Sequence, residues 1–247
     1  MTVRLTPRDM LAMTVLADHY GAPSDLVAEM LGISMPTAYG LVRRWRAVGM
    51  VSKHDIRPVP GPRWVFPTRS TTEMLLGFPV QPWRPTPKMA AHVTAVLRVR
   101  LALVGMDLDR WISERRLRSE SGTPERGRPR PHIHDGRYVT KDGSLYAIEV
   151  ELTKKSPSNA LAAIDAAYEA AEAAECETLL YYCRDEDVRK TVRKAGEMML
   201  DINPHRAKRG PVSVRAALLE ELLGDSSANP RPSLRVIDGG ATEQAAL

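Results

Sequence analysis

Three carboxylates lie close together in the second half of the chain and would suit a metal site. In the run from Ala147 to Leu152, apolar residues alternate with Glu149 and Glu151, which is typical of a strand with both glutamates on one face. Asp135 precedes this run. Divalent ions such as Mg²⁺ prefer oxygen ligands and share them with phosphate substrates, so these carboxylates predict a metal centre. The alternative interpretation is a half-exposed strand whose acidic face is solvated.

The elements around these carboxylates predict a sheet covered by helices. An Asp142-Gly143 turn joins the acidic strand to an earlier strand, as in a β-hairpin. The predicted elements are, in order, a helix over 89–104, strands over 111–117, 132–139 and 145–152, a helix over 157–174, a strand over 178–183, a helix over 185–200 and a strand over 212–218. This order indicates an α+β protein with a mixed sheet.

The first third of the chain carries a helix-turn-helix pattern. Thr6-Pro7 begins a first helix, and a second helix ends at Gly32, where a tight turn leads into a third helix from about Met35 to Val48. The third helix begins with small and polar residues and ends with arginines. That order suits a helix whose N-terminal end meets base edges and whose C-terminal end meets phosphates.

Basic charge is concentrated in and after the third helix. Between Ile33 and Arg69 there are seven basic residues and one acidic residue, and 7 − 1 = +6 exceeds the net charge of +5 for the whole chain. This concentration predicts double-stranded DNA as a partner. The candidate DNA-binding residues are Thr37, Tyr39, Arg43, Arg44, Arg46, Lys53, Arg57 and Arg63. The alternative interpretation is a solvated basic helix in a structural three-helix bundle.

Composition indicates a globular chain, and a proline-rich segment predicts where it divides into domains. The 247 residues are 43% hydrophobic and 26% charged, which is enough for one large core or two modest ones. Four prolines between Phe78 and Lys88 indicate a stiff connector. We therefore expect a DNA-binding domain over 1–78, a linker over 79–88, an α/β domain over 89–224 and a disordered tail over 225–247.

The sequence also bears on the cellular compartment. No apolar run approaches membrane-spanning length, so we expect no membrane partner. The two cysteines, Cys176 and Cys183, have no spacing that matches a zinc site. We expect a cytoplasmic protein with reduced thiols.

The two halves of the chain resemble two known folds. The N-terminal part resembles winged-helix regulators, in which a β-hairpin follows the helix-turn-helix. The second part resembles the PD-(D/E)xK nuclease fold of restriction endonucleases, in which an Asp on one strand precedes (D/E)-x-K on the next. This resemblance implies that Asp135 and Glu149 would bind Mg²⁺ and that Glu114 would supply an extra acid. It implies a metal-dependent endonuclease.

The chain as a whole is similar to the replication-relaxation family of actinobacterial plasmids and phages. The similarity runs over residues 6–200 and depends on a Trp111-x-x-Glu114-Arg115 segment, the Asp135-Gly136 pair and the run from Ile148 to Lys155. It implies a winged helix followed by a nuclease-like domain. It also implies a role in replication, relaxation or transfer of DNA.

One residue departs from the nuclease pattern. Glu151 stands where the pattern has a lysine, which normally orients the attacking water. Lys155 falls on the same strand face as the glutamates and Lys154 on the other. The predicted catalytic set is Asp135, Glu149, Glu151, Lys155, Lys154 and Glu114.

Two interpretations of the whole chain therefore remain open. One is an Mg²⁺-dependent DNA endonuclease with a relocated lysine. The other is a non-catalytic winged-helix transcriptional regulator, whose second domain serves dimerisation or effector binding. Winged-helix proteins often bind palindromic sites as homodimers, so a homodimer is an expectation under either interpretation.

Overall fold

The computed structural model describes residues 4–58, 60–122, 131–209 and 212–224. The chain forms two compact units that divide between Gly122 and Thr123. Within the described ranges, no helix combines the length and the apolar character needed to cross a membrane. The predicted tail over 225–247 lies outside the described residues.

Helices dominate the first unit. Its elements are α1 (Pro7–Asp18), β1 (Ala22–Pro23), α2 (Ser24–Leu31), α3 (Met35–Ala47), β2 (Trp64–Val65), α4 (Arg69–Leu76), α5 (Pro87–Val104), β3 (Trp111–Ser113) and α6 (Glu114–Glu120). Side-chain caps set where several of these helices begin. The Thr6 hydroxyl accepts from the Asp9 N–H and the Asp9 carboxylate accepts from the Thr6 N–H, which confirms the predicted start of α1.

A small antiparallel sheet joins the segment between α1 and α2 to the segment after α3. Ala22 of β1 lies opposite Val65 of β2, and Val51 forms an isolated bridge with Pro67. Further backbone bonds join the two sides of the hairpin over residues 50–68, including one from the Ser52 N–H to the Phe66 carbonyl. The segment over residues 50–68 is therefore hairpin-like, but β2 pairs with β1 and not with a strand directly after α3, where the described residues show only the Val51–Pro67 bridge.

The core of the first unit includes α5, which the sequence assigned to the second domain. Leu97 of α5 is fully buried in the same cluster as Leu16 of α1 and Trp45 of α3. On the polar side, Arg100 of α5 contacts the Asp18 carboxylate at 3.5 Å, and both side chains are buried. The unit boundary at Gly122 thus differs from the predicted linker over 79–88, because α5 packs on the N-terminal helices.

The second unit contains a mixed sheet. Its elements are β4 (Gly136–Val139), β5 (Leu145–Glu151), α7 (Pro157–Ala173), β6 (Thr178–Cys183), α8 (Glu186–Ile202), α9 (Pro204–Arg209), β7 (Ser213–Leu218) and α10 (Leu219–Gly224). The strand order is β4-β5-β6-β7, in which the β4–β5 pair is antiparallel and the other pairs are parallel. The predicted mixed sheet and α+β class are confirmed.

Two predicted strands are shorter than expected. The segment predicted as a strand over 111–117 leaves the extended conformation at Glu114, because the Ser113 hydroxyl caps α6 by accepting from the Arg116 N–H. The strand predicted over 132–139 begins only at Gly136. As a result, the candidate residue Glu114 lies in a helix, and the candidate residue Asp135 lies just before a strand.

Strand β5 is buried on both faces along its centre. Ala147 packs in the cluster formed with α7 and α8, and Ile148 on the opposite face is equally buried. Glu149 and Glu151 lie on the same face as Ala147, which the helices cover. They are partly exposed because they lie near its carboxyl end.

Candidate functional site

Helix α3 is held by its inner face, which leaves its outer face free. Trp45 is fully buried, and its Nε1 donates to Asp9 Oδ1 at 3.1 Å. Burial would raise the pKa of Asp9, but hydrogen bonds from Thr6 and Trp45 and the charge of Arg44 hold that pKa below its usual value. The outer face carries Tyr39, which is 50% exposed.

A cleft of about 600 Å³ lies between the outer face of α3 and the hairpin. It is lined by Ser24, Pro36, Tyr39, Gly40, Val42, Arg43, Arg46, Arg57, Arg63 and Val65. Four of these side chains are arginines, and none is acidic. We call this feature the arginine cleft.

The arginines of the cleft differ in their partners. Arg63 forms an ion pair with Asp55 at 3.2 Å, in which both side chains are about half exposed. Arg57 Nη1 donates to the Gly61 carbonyl at 3.4 Å. Arg46 Nε is buried without a hydrogen-bond partner among the described residues. Since the Arg63–Asp55 ion pair is exposed and weak, the cleft keeps a strong positive charge.

The cleft collects five of the eight residues predicted to bind DNA, namely Tyr39, Arg43, Arg46, Arg57 and Arg63. The other three lie outside it. Thr37 is exposed, with its hydroxyl 2.9 Å from that of Ser34, while Arg44 is exposed on α3 and Lys53 is exposed on the hairpin.

The acidic strand of the second unit meets Asp135 at the start of β4. Gly136 pairs with Ile148, so the next step of the antiparallel ladder sets Asp135 opposite Glu149. Asp135 Oδ2 accepts from the Val150 N–H at 2.7 Å. The two carboxylates predicted to share a metal therefore lie side by side, with Asp135 just before β4 and Glu149 on β5, but Asp135 also binds the backbone.

Glu149 is paired with a histidine that the sequence did not mark. His132 Nε2 lies 2.7 Å from Glu149 Oε1, and the two side chains are 25% and 14% exposed. Burial lowers the pKa of His132, but the hydrogen bond and charge of Glu149, helped by Asp135, outweigh it and raise that pKa above its usual value. His132 and Glu149 thus form an ion pair when His132 is protonated.

A second histidine lies behind this pair. His134 is fully buried, and its Nε2 donates to the Ala167 carbonyl of α7 at 3.0 Å, because a carbonyl can only accept. Arg137 Nε donates to Nδ1 of the same ring at 3.4 Å. Burial and the nearby cations lower the pKa of His134 to about 4, so the ring is neutral near pH 7.

His132, His134 and Glu149 together form a candidate metal site. Each offers one ligand atom, and these atoms all lie within 4.8 Å of one another. The predicted Mg²⁺ site was Asp135 and Glu149 alone. Mg²⁺ prefers six oxygen ligands, whereas this set contains two imidazoles, so the residues present do not fit Mg²⁺ well.

The predicted lysines lie at the end of β5. Lys155 forms an ion pair with Glu151, although it lies beyond the end of β5 in the connection to α7 and not on a strand face. Glu151 also accepts from the Thr153 N–H at 3.2 Å. Lys154 is exposed. The residue in the place of the nuclease lysine is thus a glutamate held by a lysine four positions later.

Glu114 does not extend the acidic cluster within the second unit. It is the first residue of α6 and belongs to the first unit, whereas Asp135 and Glu149 belong to the second. Its Oε1 accepts from Arg118 Nη2 at 2.6 Å and from Arg118 Nε at 2.9 Å. The Glu114 carboxylate is therefore paired within its own helix.

Sequence reasoning missed His132 and His134. The signal was a His-x-His pair in an extended segment, since alternation brings both rings to one side of the backbone. The two rings lie edge to face with centroids 5.3 Å apart.

Comparisons of the chain with protein-family models, with curated proteins and with solved structures found no match.

Proposed function

We propose that this protein binds double-stranded DNA through the arginine cleft, with the first unit acting as a winged helix. The observation that carries the proposal is the cleft itself, in which four arginines and no acidic side chain face the space between α3 and the hairpin. A phosphate backbone is the partner that such a charge pattern favours. The order of helix, turn, helix and hairpin in the first unit supports the same assignment.

The two ends of α3 would have different tasks. Thr37 and Tyr39 lie in its first half and are exposed, which suits contact with base edges in the major groove. Arg43 and Arg46 lie in its second half, where guanidinium groups can bind phosphate oxygens in a fork. The hairpin would bring Arg57 toward the neighbouring phosphates.

The test is binding to a short labelled DNA duplex, measured by fluorescence anisotropy. We expect wild-type protein to bind and the double variant Arg43→Gln/Arg46→Gln to bind at least about tenfold more weakly. Lys194→Gln/Lys190→Gln, which removes the same charge from α8 of the second unit, is the matched control. Equal losses in the two double variants would mean that binding is not at the arginine cleft.

We propose phosphodiester hydrolysis by a PD-(D/E)xK-like second unit as a second candidate function. It is supported by the position of Asp135 opposite Glu149 and by Lys155, which follows the end of β5 and pairs with Glu151. The carboxylates would bind and orient the attacking water, and the Lys155 ammonium would offset charge on the phosphate. No step is assigned to Mg²⁺, because the donor set does not fit it.

Plasmid cleavage tests the second candidate. We expect wild-type protein with Mn²⁺ to nick or linearise the DNA and Asp135→Asn to lose that activity. Asparagine keeps an acceptor for the Val150 N–H, so the strand pairing should survive. If no DNA form is cut while DNA binding is intact, the protein is a non-catalytic DNA-binding protein.

A further inference from the structure

We propose that His132, His134 and Glu149 bind a divalent transition-metal ion of the Zn²⁺ class. The inference goes beyond DNA binding. It shares Glu149 with the second candidate function but does not require hydrolysis. The site lies where β5 ends and where the extended segment before β4 passes beside α7.

The three ligand atoms are already close to metal-binding distances. They lie within 4.8 Å of one another, and His132 Nε2 is 2.7 Å from Glu149 Oε1. In a tetrahedral site with metal–nitrogen bonds of about 2.0 Å, neighbouring donors are roughly 3.3 Å apart. Side-chain rotation would have to bring the three donor atoms, now within 4.8 Å of one another, to about that separation. The ion would lie where His132 and Glu149 now share a hydrogen.

The second nitrogen of His134 is held as in a metal ligand. Histidines that bind metals generally donate their other ring N–H to a carbonyl or carboxylate, which fixes the tautomer and the ring. His134 Nε2 donates in this way to the Ala167 carbonyl at 3.0 Å. Ala167 is fully buried in the core, so this support is rigid. The lone pair of His134 is therefore on Nδ1.

The ligand set selects the kind of ion. Two imidazole nitrogens and one carboxylate favour Zn²⁺ and its neighbours over Mg²⁺, which prefers oxygen and octahedral geometry. Three protein ligands leave a fourth position of a tetrahedral ion open to water. His132 and Glu149 are partly exposed, so an ion and that water can reach the site.

Arg137 opposes binding in the present arrangement. Its Nε donates to His134 Nδ1 at 3.4 Å, a long hydrogen bond, and its charge would repel a cation. Arg137 is only half-buried, so its side chain has room to turn away. Removing this guanidinium should therefore tighten metal binding. A purely structural His–Glu pair would not respond in that way.

Calorimetric titration of the full chain with Zn²⁺ and spectroscopic titration with Co²⁺ test the proposal. We expect one Zn²⁺ bound per chain, a Co²⁺ absorption band that indicates nitrogen ligands, and much weaker binding of Mg²⁺. His132→Gln should weaken Zn²⁺ binding by roughly tenfold or more. Arg137→Gln should strengthen it. His205→Gln, which changes an exposed histidine in the same unit, should leave it unchanged.

Three results would overturn the proposal. They are absence of Zn²⁺ binding by wild-type protein, equal affinity in wild-type protein and His132→Gln, and weaker binding by Arg137→Gln. Circular dichroism checks that each variant is folded, and Glu149→Gln replaces His132→Gln if that variant unfolds. DNA binding and plasmid cleavage are measured on the same samples. Failure of the metal site is thereby distinguished from failure of either proposed function.

Discussion

Trp45 Nε1 donates to Asp9 Oδ1 at 3.1 Å, although the two residues lie 36 positions apart. This bond joins α3 to the first turn of α1, where the same carboxylate also completes the cap with Thr6. This buried carboxylate therefore helps to fix the orientation of α3, and with it the arginine cleft, together with the packing of Leu41 and Val42 in the core. Helix α3 presents Arg43 and Arg46 because its opposite face is held in this way.

Trp45→Phe tests that link. Phenylalanine keeps an aromatic ring in the core but removes the donor to Asp9. We expect the free energy of unfolding of the first unit to fall by about 1–3 kcal/mol, since a buried carboxylate loses a partner. Chemical denaturation measures the change. Trp83→Phe, which alters a tryptophan outside this contact, is the control for loss of the indole, and an equal loss there would contradict the argument.

Gly21→Ala should displace the hairpin. Gly21 has a φ of +94°, and an added Cβ would lie 2.4 Å from the Val65 carbonyl oxygen and 2.6 Å from Phe66 Cβ. We expect a loss of roughly 2–4 kcal/mol in the free energy of unfolding, from strain and overpacking together. Thermal unfolding and DNA binding are both measured.

The matched control is Gly32→Ala. Gly32 also has a positive φ, of +56°, but nothing lies within 4 Å of an added Cβ. Its cost should be only the backbone strain of about 1 kcal/mol. Similar stability and DNA affinity in the two variants would mean that the hairpin does not need close contact at Gly21.

Asp18→Asn should weaken the attachment of α5 to α1. The Asp18 carboxylate is 2% exposed and contacts Arg100 at 3.5 Å and Arg116 at 3.0 Å. Neutralising it leaves the fully buried Arg100 without its counter-charge, which typically costs about 3–5 kcal/mol. Urea unfolding of wild type beside the exposed-site control Glu120→Gln measures the difference. A loss below 1 kcal/mol would show that water replaces the pair.

Because the His19 imidazole is buried, we expect the folded protein to lose stability in mild acid. Burial, followed by the charges of Arg100 and Arg115, lowers the pKa of His19 well below its usual value of 6.5. The unfolded chain therefore binds a proton below about pH 6.5 while the folded chain does not, so stability falls as pH drops through that region. Above it, His19 contributes no pH dependence.

The measurement is the free energy of unfolding as a function of pH for wild type and His19→Gln. We expect the variant to lose part of the acid-side slope, which one proton limits to about 1.4 kcal/mol per pH unit. The imidazole packs against Trp111, with ring centroids 5.8 Å apart, so His19→Phe serves as a second variant that keeps the ring. Identical slopes in all three proteins would contradict the prediction.

Local signals in the sequence were sufficient to predict where many of the helices and strands lie. The hydroxyls of Thr6, Thr68 and Ser156 each cap the helix that follows, because a side-chain oxygen satisfies a free N–H of the first turn. The apolar run of β6 has the bounds Thr178–Cys183 that were predicted. These signals depend on residues next to one another in the chain.

Features that depend on distant contacts could not be predicted. Arg100 finds its counter-ion 82 positions earlier in Asp18, so the place of α5 in the first unit is not visible in the proline-rich segment before it. His132 meets Glu149 17 positions later and His134 meets Ala167 33 positions later. The sequence around a histidine does not show which distant residues it will contact. By contrast, the alternation of apolar and acidic residues over 147–152 was enough to place both glutamates on one face.

The dependence of DNA affinity on salt tests the central claim most directly. Each arginine that binds a phosphate releases counterions, so the logarithm of the binding constant falls with the logarithm of the salt concentration. We predict a steep slope for wild-type protein and a slope shallower by roughly two for Arg43→Gln/Arg46→Gln. Lys190→Gln/Lys194→Gln should keep the wild-type slope. A cleft variant with the wild-type affinity and slope would contradict the account.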